Sequence, residues 1–402
     1  MHQPAPHLRK RRRLDHIDAI RPVKQAGVIA THVLFFFAPT TTGQGAALLL
    51  LHVSRDAFFF VSACMLTYAY ADLNRTGLRR FYWRRFVSTG IPYLCWTAIY
   101  YVDTFHSSHY RNTGQALMAI PHLLYVGYYH LYFLLVIMQF YLVFPLVLKG
   151  LRRAKGHHGL VIAGAVAVQV VLVIAMHWQW LPLGLRGVWA QREAPTYLLY
   201  LIGGSVAAFH LDRVDAWLRR NAPLVFTLTV LAAMLAEGVY FLAARGVTTM
   251  LGSGEDPFQP SVIPFNIGAI ACLYLVGVAL VSSGPKIRAV ARSGSDNSYG
   301  VYLGQMLFIN ALLWLGWGHL DATVPWPLLC AATAVMVYLG SFVLTALLAR
   351  TPLAVPLTGR TRVPFPRWHA TPPRVGRRRT SGGARTPGNR GAWPCTPSAR
   401  GR

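Results

Sequence analysis

Ten apolar stretches recur along this chain of 402 residues, most of them long enough to cross the hydrocarbon of a bilayer, and no other feature restricts the fold so severely. They run approximately over 22–38, 45–70, 87–102, 129–148, 160–177, 195–210, 222–243, 262–283, 298–317 and 325–349. Hydrophobic residues outnumber charged ones 54% to 13% and the mean hydropathy is +0.38, which removes a water-soluble globule from consideration. The expected fold is all-α: a polytopic membrane protein, a bundle of about ten transmembrane helices.

Basic residues set the expected topology. They cluster before the first stretch (Arg9 to Arg13, then Arg21), between the second and third (Arg75, Arg79, Arg80, Arg84, Arg85), and in every second connection after that. By the positive-inside rule both termini are then cytoplasmic and the number of spans is even. The organisation follows: residues 1–21 are a basic cytoplasmic N-terminal arm, 22–350 the transmembrane domain, and 351–402 a disordered basic cytoplasmic tail rich in Pro, Gly and Arg. The net charge of +26 belongs mostly to inner-face loops and the tail, so the expected partner is a bilayer with anionic headgroups and not nucleic acid. Four of the five cysteines, Cys64, Cys95, Cys272 and Cys330, fall in apolar stretches, leaving no exported disulfide pair and no metal-ligand spacing.

Ionisable residues inside a membrane are expensive to keep, so they carry the functional argument. His32 lies near the middle of the first stretch, and Arg21 stands at its inner edge. Eleven helical steps at about 1.5 Å each separate them by roughly 16 Å, comparable to a pantetheine arm. The short turn around residues 40–44 makes the first two stretches an antiparallel hairpin. Counting back from it puts His32 at the depth of His52, Arg55 and Asp56, which share one helical face. Asp56 is therefore the expected orienter of His32, although the same residues would also serve as a structural polar knot. At the inner face, Arg84 and Arg85 among Phe81, Tyr82 and Trp83 fit either a phosphate socket or an ordinary membrane interface. His130 opens the fourth long stretch amid tyrosines, as an acceptor contact or as a cap in an aromatic belt. Glu237, alone in its stretch, reads as an interhelical hydrogen-bond partner in preference to an acceptor-facing acid.

Several segments resemble the acyltransferase type 3 family of bacterial membrane acyltransferases. Residues 14–32, LDHIDAIRPVKQAGVIATH, are similar to its first span, with an Arg and a His separated by ten residues at Arg21 and His32. Asp56-Ala-Phe-Phe-Phe-Val-Ser62 resembles its second-span motif. Arg84-Arg85 followed by Ile91-Pro92-Tyr93 and Trp96, then His130-Leu-Tyr-Phe-Leu with Gln139 and Pro145, and finally Ser298-Tyr-Gly-Val-Tyr-Leu303, follow in the family's order. The chain departs from it at Ser88, where many members carry a further Arg, at Ala63 for a Gly, and at Gln305, where a His often stands.

The resemblance, closest to the branch modifying surface polysaccharides, implies an O-acyltransferase of the bacterial cell membrane. It would take acetyl or succinyl from cytoplasmic acyl-CoA, a donor substrate and not a resident cofactor, and place it on a glycan or other hydroxyl acceptor outside. His32 would be the essential histidine, with Asp56 orienting it and Arg55 steadying the oxyanion. Arg21, Arg84 and Arg85 would bind the donor, while His130 and Gln305 would meet the acceptor. Direct transfer and a covalent acyl-histidine both remain open. The rival class is a transporter or exporter of a surface polysaccharide or small organic acid, since midplane charges mark transport paths too.

Overall fold

A computed structural model of the chain describes residues 13–106, 113–181, 190–247, 249–252 and 256–363. The far N-terminal arm and the tail beyond Val363, including the disorder expected there, lie outside the described residues. Those described form an all-helical array without strands. It comprises α1 (Asp15–Phe37), α2 (Thr42–Leu51), α3 (Val53–Tyr70), α4 (Leu78–His106), α5 (Thr113–Val126), α6 (Tyr132–Arg153) and α7 (His158–His177). These are followed by α8 (Leu198–Phe209), α9 (Leu211–Arg220), α10 (Ala222–Ala244), α11 (Val262–Ser282), α12 (Pro285–Trp314), α13 (Trp326–Leu348) and α14 (Ala354–Thr358).

Six helical segments are both long and apolar enough to span a bilayer: Thr42–Tyr70, Tyr129–Arg153, His158–His177, Ala222–Ala244, Val262–Ser282 and Trp326–Leu348. A seventh is available if α8 and α9, bent by 98°, count as one span. The expected count of about ten is thus not reached on length and apolarity. The shortfall has a physical origin in α1, α4 and α12, whose 23, 29 and 30 residues are long enough but carry charged and polar residues that lower their hydropathy. Arg21 and Lys24 lie on α1, four arginines on the first turns of α4, and Lys286, Arg288 and Arg292 on α12.

Part of the charge at the start of α1 and α12 is paired at the surface of the bundle, between partly exposed side chains. The Arg13 side chain reaches Asp18 at 2.5 Å and Asp296 at 3.0 Å, and Arg292 reaches Asp15 at 3.2 Å. Further along, Gln25 donates to Gln305 at 3.3 Å, so α1 and α12 run side by side in the same direction. Helix α1 also packs on α11 and α13 and occupies the middle of the bundle.

The hairpin turn falls where expected. Helix α1 stops at Phe37, and Thr41 caps α2 by accepting the Gln44 amide at 3.2 Å. The second stretch is not one continuous helix, however: it breaks at His52, whose Nδ1 sits 2.5 Å from the Leu48 carbonyl. Beyond the break α3 presents Ser54 to Gly27 of α1 and packs along α8 on its other side. A Cβ at Gly204 would strike the Phe60 carbonyl, so only glycine allows these two backbones to meet.

After α13 the chain does not lose structure, contrary to expectation. Residues 351–363 carry α14 and fold back on the bundle, where Trp96 Nε1 donates to the Leu357 carbonyl at 2.9 Å and the Val363 amide to the Ala349 carbonyl at 2.9 Å.

Candidate functional site

Seven residues make almost two full turns of helix, so Arg21, Gln25, Val28 and His32 fall along one face of α1. The outer part of that face, Arg21 and Gln25, lines a cavity of about 310 Å³ between α1, α3, α4, α6 and α12, closed on one side by Gly359 and Arg360. Its walls hold four cations, Arg21, Lys24, Arg85 and Arg360, against a single carboxylate, Asp296. Arg21 stands at the rim, 3.7 Å from Asp18. Arg85 spreads its guanidinium between Tyr70 at 4.9 Å and Tyr141 at 5.8 Å, and its Nε is buried without a partner among the described residues. Lys24 is only 8% exposed and rests its ammonium 3.9 Å from the centre of the Phe58 ring. A polar cavity with surplus positive charge is built to hold an anion.

At the inner end of the cavity, Phe58 and Tyr302 lie 5.8 Å apart. Tyr302 in turn faces His130 at 5.0 Å, His130 faces Tyr100 at 5.5 Å, and the fourth ring of the cluster is His32, 6.1 Å from His130. The Tyr302 hydroxyl donates to the His130 carbonyl and the Tyr100 hydroxyl to the Leu303 carbonyl at 2.6 Å, which fixes both phenols. His130 is 1% exposed, and among the described residues its ring meets no side-chain hydrogen-bond partner, only the backbone of Tyr302 and Leu303. It sits inside the bundle, not in a surface aromatic belt. His32 is half-buried and makes no hydrogen bond among the described residues, so its nitrogens are available to a bound molecule.

Other expected site residues lie elsewhere. The Asp56 carboxylate does not meet His32. It accepts from Asn266 Nδ2 at 2.6 Å and from Arg55 Nε at 3.2 Å. The Arg55 guanidinium lies over Phe258 at 4.1 Å and near Tyr197 at 5.3 Å. The reason is rotation: with Ser54 against Gly27 and Phe58 over the cavity, position 56 is turned about 200° away, toward α8 and α11. Arg84 points outward and is exposed, whereas its neighbour Arg85 lines the cavity. Gln305 is buried and accepts from Gln25, with its own Nε2 unpartnered among the described residues. Neither carboxylate oxygen of Glu237 has a partner, so the interhelical bond expected of it is absent among the described residues.

The residues that sequence reasoning passed over are Lys24, Gln25, Tyr302 and Arg360. The first two stand in the same helical stripe as Arg21 and His32, and Tyr302 belongs to the segment 298–303 already singled out. Nothing local marks Arg360. No group of His, Cys, Asp or Glu among the described residues could hold a metal ion.

A family model described as an acyltransferase domain matches residues 15–346, which takes in every element of this site except Gly359 and Arg360. No curated protein and no solved structure matches the chain.

Proposed function

Since the chain belongs to the acyltransferase type 3 family, we propose that it carries an acyl group, acetyl or succinyl, from cytoplasmic acyl-CoA to a hydroxyl of a surface glycan or other extracytoplasmic acceptor. One observation carries the reading. A single face of α1 holds Arg21 at the rim of a basic cavity and, at about 1.5 Å per residue, His32 some 16 Å further in. Phosphates of the donor sit against Arg21 and Arg85, and the arm runs inward past Phe58 and Tyr302 so that its thioester reaches His32.

The chemistry needs one base. A neutral imidazole nitrogen of His32 takes the proton of the acceptor hydroxyl as the oxygen attacks the thioester carbonyl. The C–O bond forms, the C–S bond breaks, and the departing thiolate takes the proton back from the imidazolium. His130, whose ring lies 6.1 Å from that of His32 and meets no other side chain by hydrogen bond among the described residues, is the side chain best situated to meet the acceptor. Arg55 and Asp56 take no part, because their charges satisfy each other and Asn266.

In this reading α1, α4, α8 and α12 also cross the bilayer, giving ten spans in the cell membrane with both termini cytoplasmic. The ion pairs between the starts of α1 and α12 lie at one end of both helices, where an inner-face headgroup layer would meet them. The test compares surface glycans from wild-type cells and cells lacking the protein. One acyl ester should vanish while the amount of glycan stays the same. A fall in exported glycan with its acylation intact would point to transport.

A further inference from the structure

Lys24 is the least compensated charge in the cavity. It is more than nine-tenths buried and has neither an ion pair nor a hydrogen-bond acceptor among the described residues, only the face of Phe58. A buried ammonium has three donors to satisfy, and leaving them empty is costly. The one carboxylate that lines the cavity, Asp296, is already engaged by Arg13 at 3.0 Å and by Arg360 at 3.9 Å. Arg85 adds a second orphaned donor in the same space.

Arg360 arrives from outside the matched family segment, on the stretch that folds back after α13, and that stretch is firmly held. Gly359 takes φ +64°, and a Cβ there would collide with the Tyr299 ring and the Ser88 carbonyl. Arg362 Nε donates to the Arg350 carbonyl at 2.9 Å, and Arg360 donates to the Asp296 carbonyl. Its side chain, 32% exposed, therefore stands at the cavity mouth in a fixed place.

We propose that Lys24 and Arg360 join Arg21 and Arg85 in a four-cation receptor for a diphosphate, with Lys24 as the counter-ion of its innermost phosphate and the post-α13 segment as one wall of the site. The assignment rests on the donor reading above, and it names two donor-binding residues which that reading does not need. Three helical steps place Lys24 about 4.5 Å deeper than Arg21, so the two cations meet successive charges of one ligand. A compact ammonium suits the deep position, and the forked guanidinium of Arg360 suits the open rim.

The experiment measures binding of CoA, inorganic pyrophosphate and unphosphorylated pantetheine to the purified full-length protein. Lys24→Met keeps the apolar stem over Phe58 and removes the charge. It should weaken CoA and pyrophosphate by about 10- to 100-fold, the range for losing one charge-assisted contact, and leave pantetheine unchanged. Pyrophosphate should raise the melting temperature of the wild type and not of Lys24→Met, while the unliganded variant should melt at the same temperature or higher. Lys24→Gln repeats the test with a polar side chain, and Arg360→Gln should weaken the same two ligands by a smaller factor. Unchanged CoA and pyrophosphate affinity in both Lys24 variants overturns the receptor, as does an equal loss for pantetheine. A wild type that binds pyrophosphate but not CoA keeps the receptor and sinks the CoA donor, pointing instead to a lipid diphosphate. A wild type that binds neither sinks both.

Discussion

Replacing Asp56 by asparagine should unfold this protein more readily without disarming it. The Asp56 and Arg55 side chains are only 3% and 5% exposed, and their contact is 3.2 Å, so the change leaves a guanidinium unpaired in the bundle. Breaking a buried ion pair from one side costs about 3–5 kcal/mol. Asparagine still offers Arg55 an acceptor oxygen, which places the loss near the lower end, about 3 kcal/mol. Replacing both partners, Arg55→Leu with Asp56→Leu, removes the stranded charge and should recover most of that, giving a coupling of about 2 kcal/mol or more in a double-mutant cycle. The assay is the unfolding midpoint of purified protein in detergent beside acyl transfer per folded molecule. Turnover per folded Asp56→Asn molecule should stay within about twofold of wild type, because no step of the proposed transfer uses the carboxylate. A variant of normal stability with turnover lost a hundredfold would refute this reasoning and return Asp56 to the service of His32.

Arg84→Ala should leave CoA affinity unchanged, whereas Arg85→Ala should weaken it about tenfold, since only Arg85 lines the cavity. Unchanged affinity of both variants in a binding titration would mean that the two act through topology alone, and an equal loss would put Arg84 at the donor as well. A reporter fused after Arg350 should be active only in the cytoplasm, and activity outside would defeat the ten-span arrangement. The Asp215 carboxyl on α9 is pushed up by partial burial. Hydrogen bonds from Arg219 at 2.8 Å and Tyr274 at 2.8 Å, with the charge of Arg219, outweigh that push and hold it below the usual carboxylate range. A lowered folded-state value stabilises above the unfolded pKa, about 3.9, and the contribution disappears as pH falls through the folded value. Wild type should therefore melt above Asp215→Asn at pH 7, and the two should converge under strong acid. A gap that persists there would assign the effect to packing.

The helical character of the chain and the placement of Arg21 and His32 on one face of α1 were legible because each depends on local periodicity. The hairpin turn was legible too, with Thr41 supplying an ordinary N-cap. The partner of His32 was not. Its assignment rested on equal depth below the turn, and the Ser54–Gly27 contact decides which face of α3 meets α1, turning Asp56 to the opposite side. Arg84 and Arg85 differ by 100° around α4, and only the position of α6, with Tyr141, decides which of them turns inward. Lys24 was overshadowed by the spacing of Arg21 and His32, although it stands in the same stripe. Arg360 sits where composition reads as a loose tail, and its place is fixed by contacts with residues as distant in sequence as Trp96 and Asp296.

Transfer by a single imidazole is the centre of the proposed mechanism, and His32→Gln tests it most directly. The glutamine fills similar space and keeps hydrogen-bonding ability but cannot accept and return the proton at neutral pH. The measurement is release of free CoA thiol from acetyl-CoA and succinyl-CoA by purified protein, supplied with a surface-glycan fraction from cells lacking it. Wild type should release thiol with one of the two donors, and His32→Gln should bind that donor with unchanged affinity while its release falls by at least about a hundredfold. Release by His32→Gln within a few-fold of wild type would contradict the mechanism and move the base to another residue.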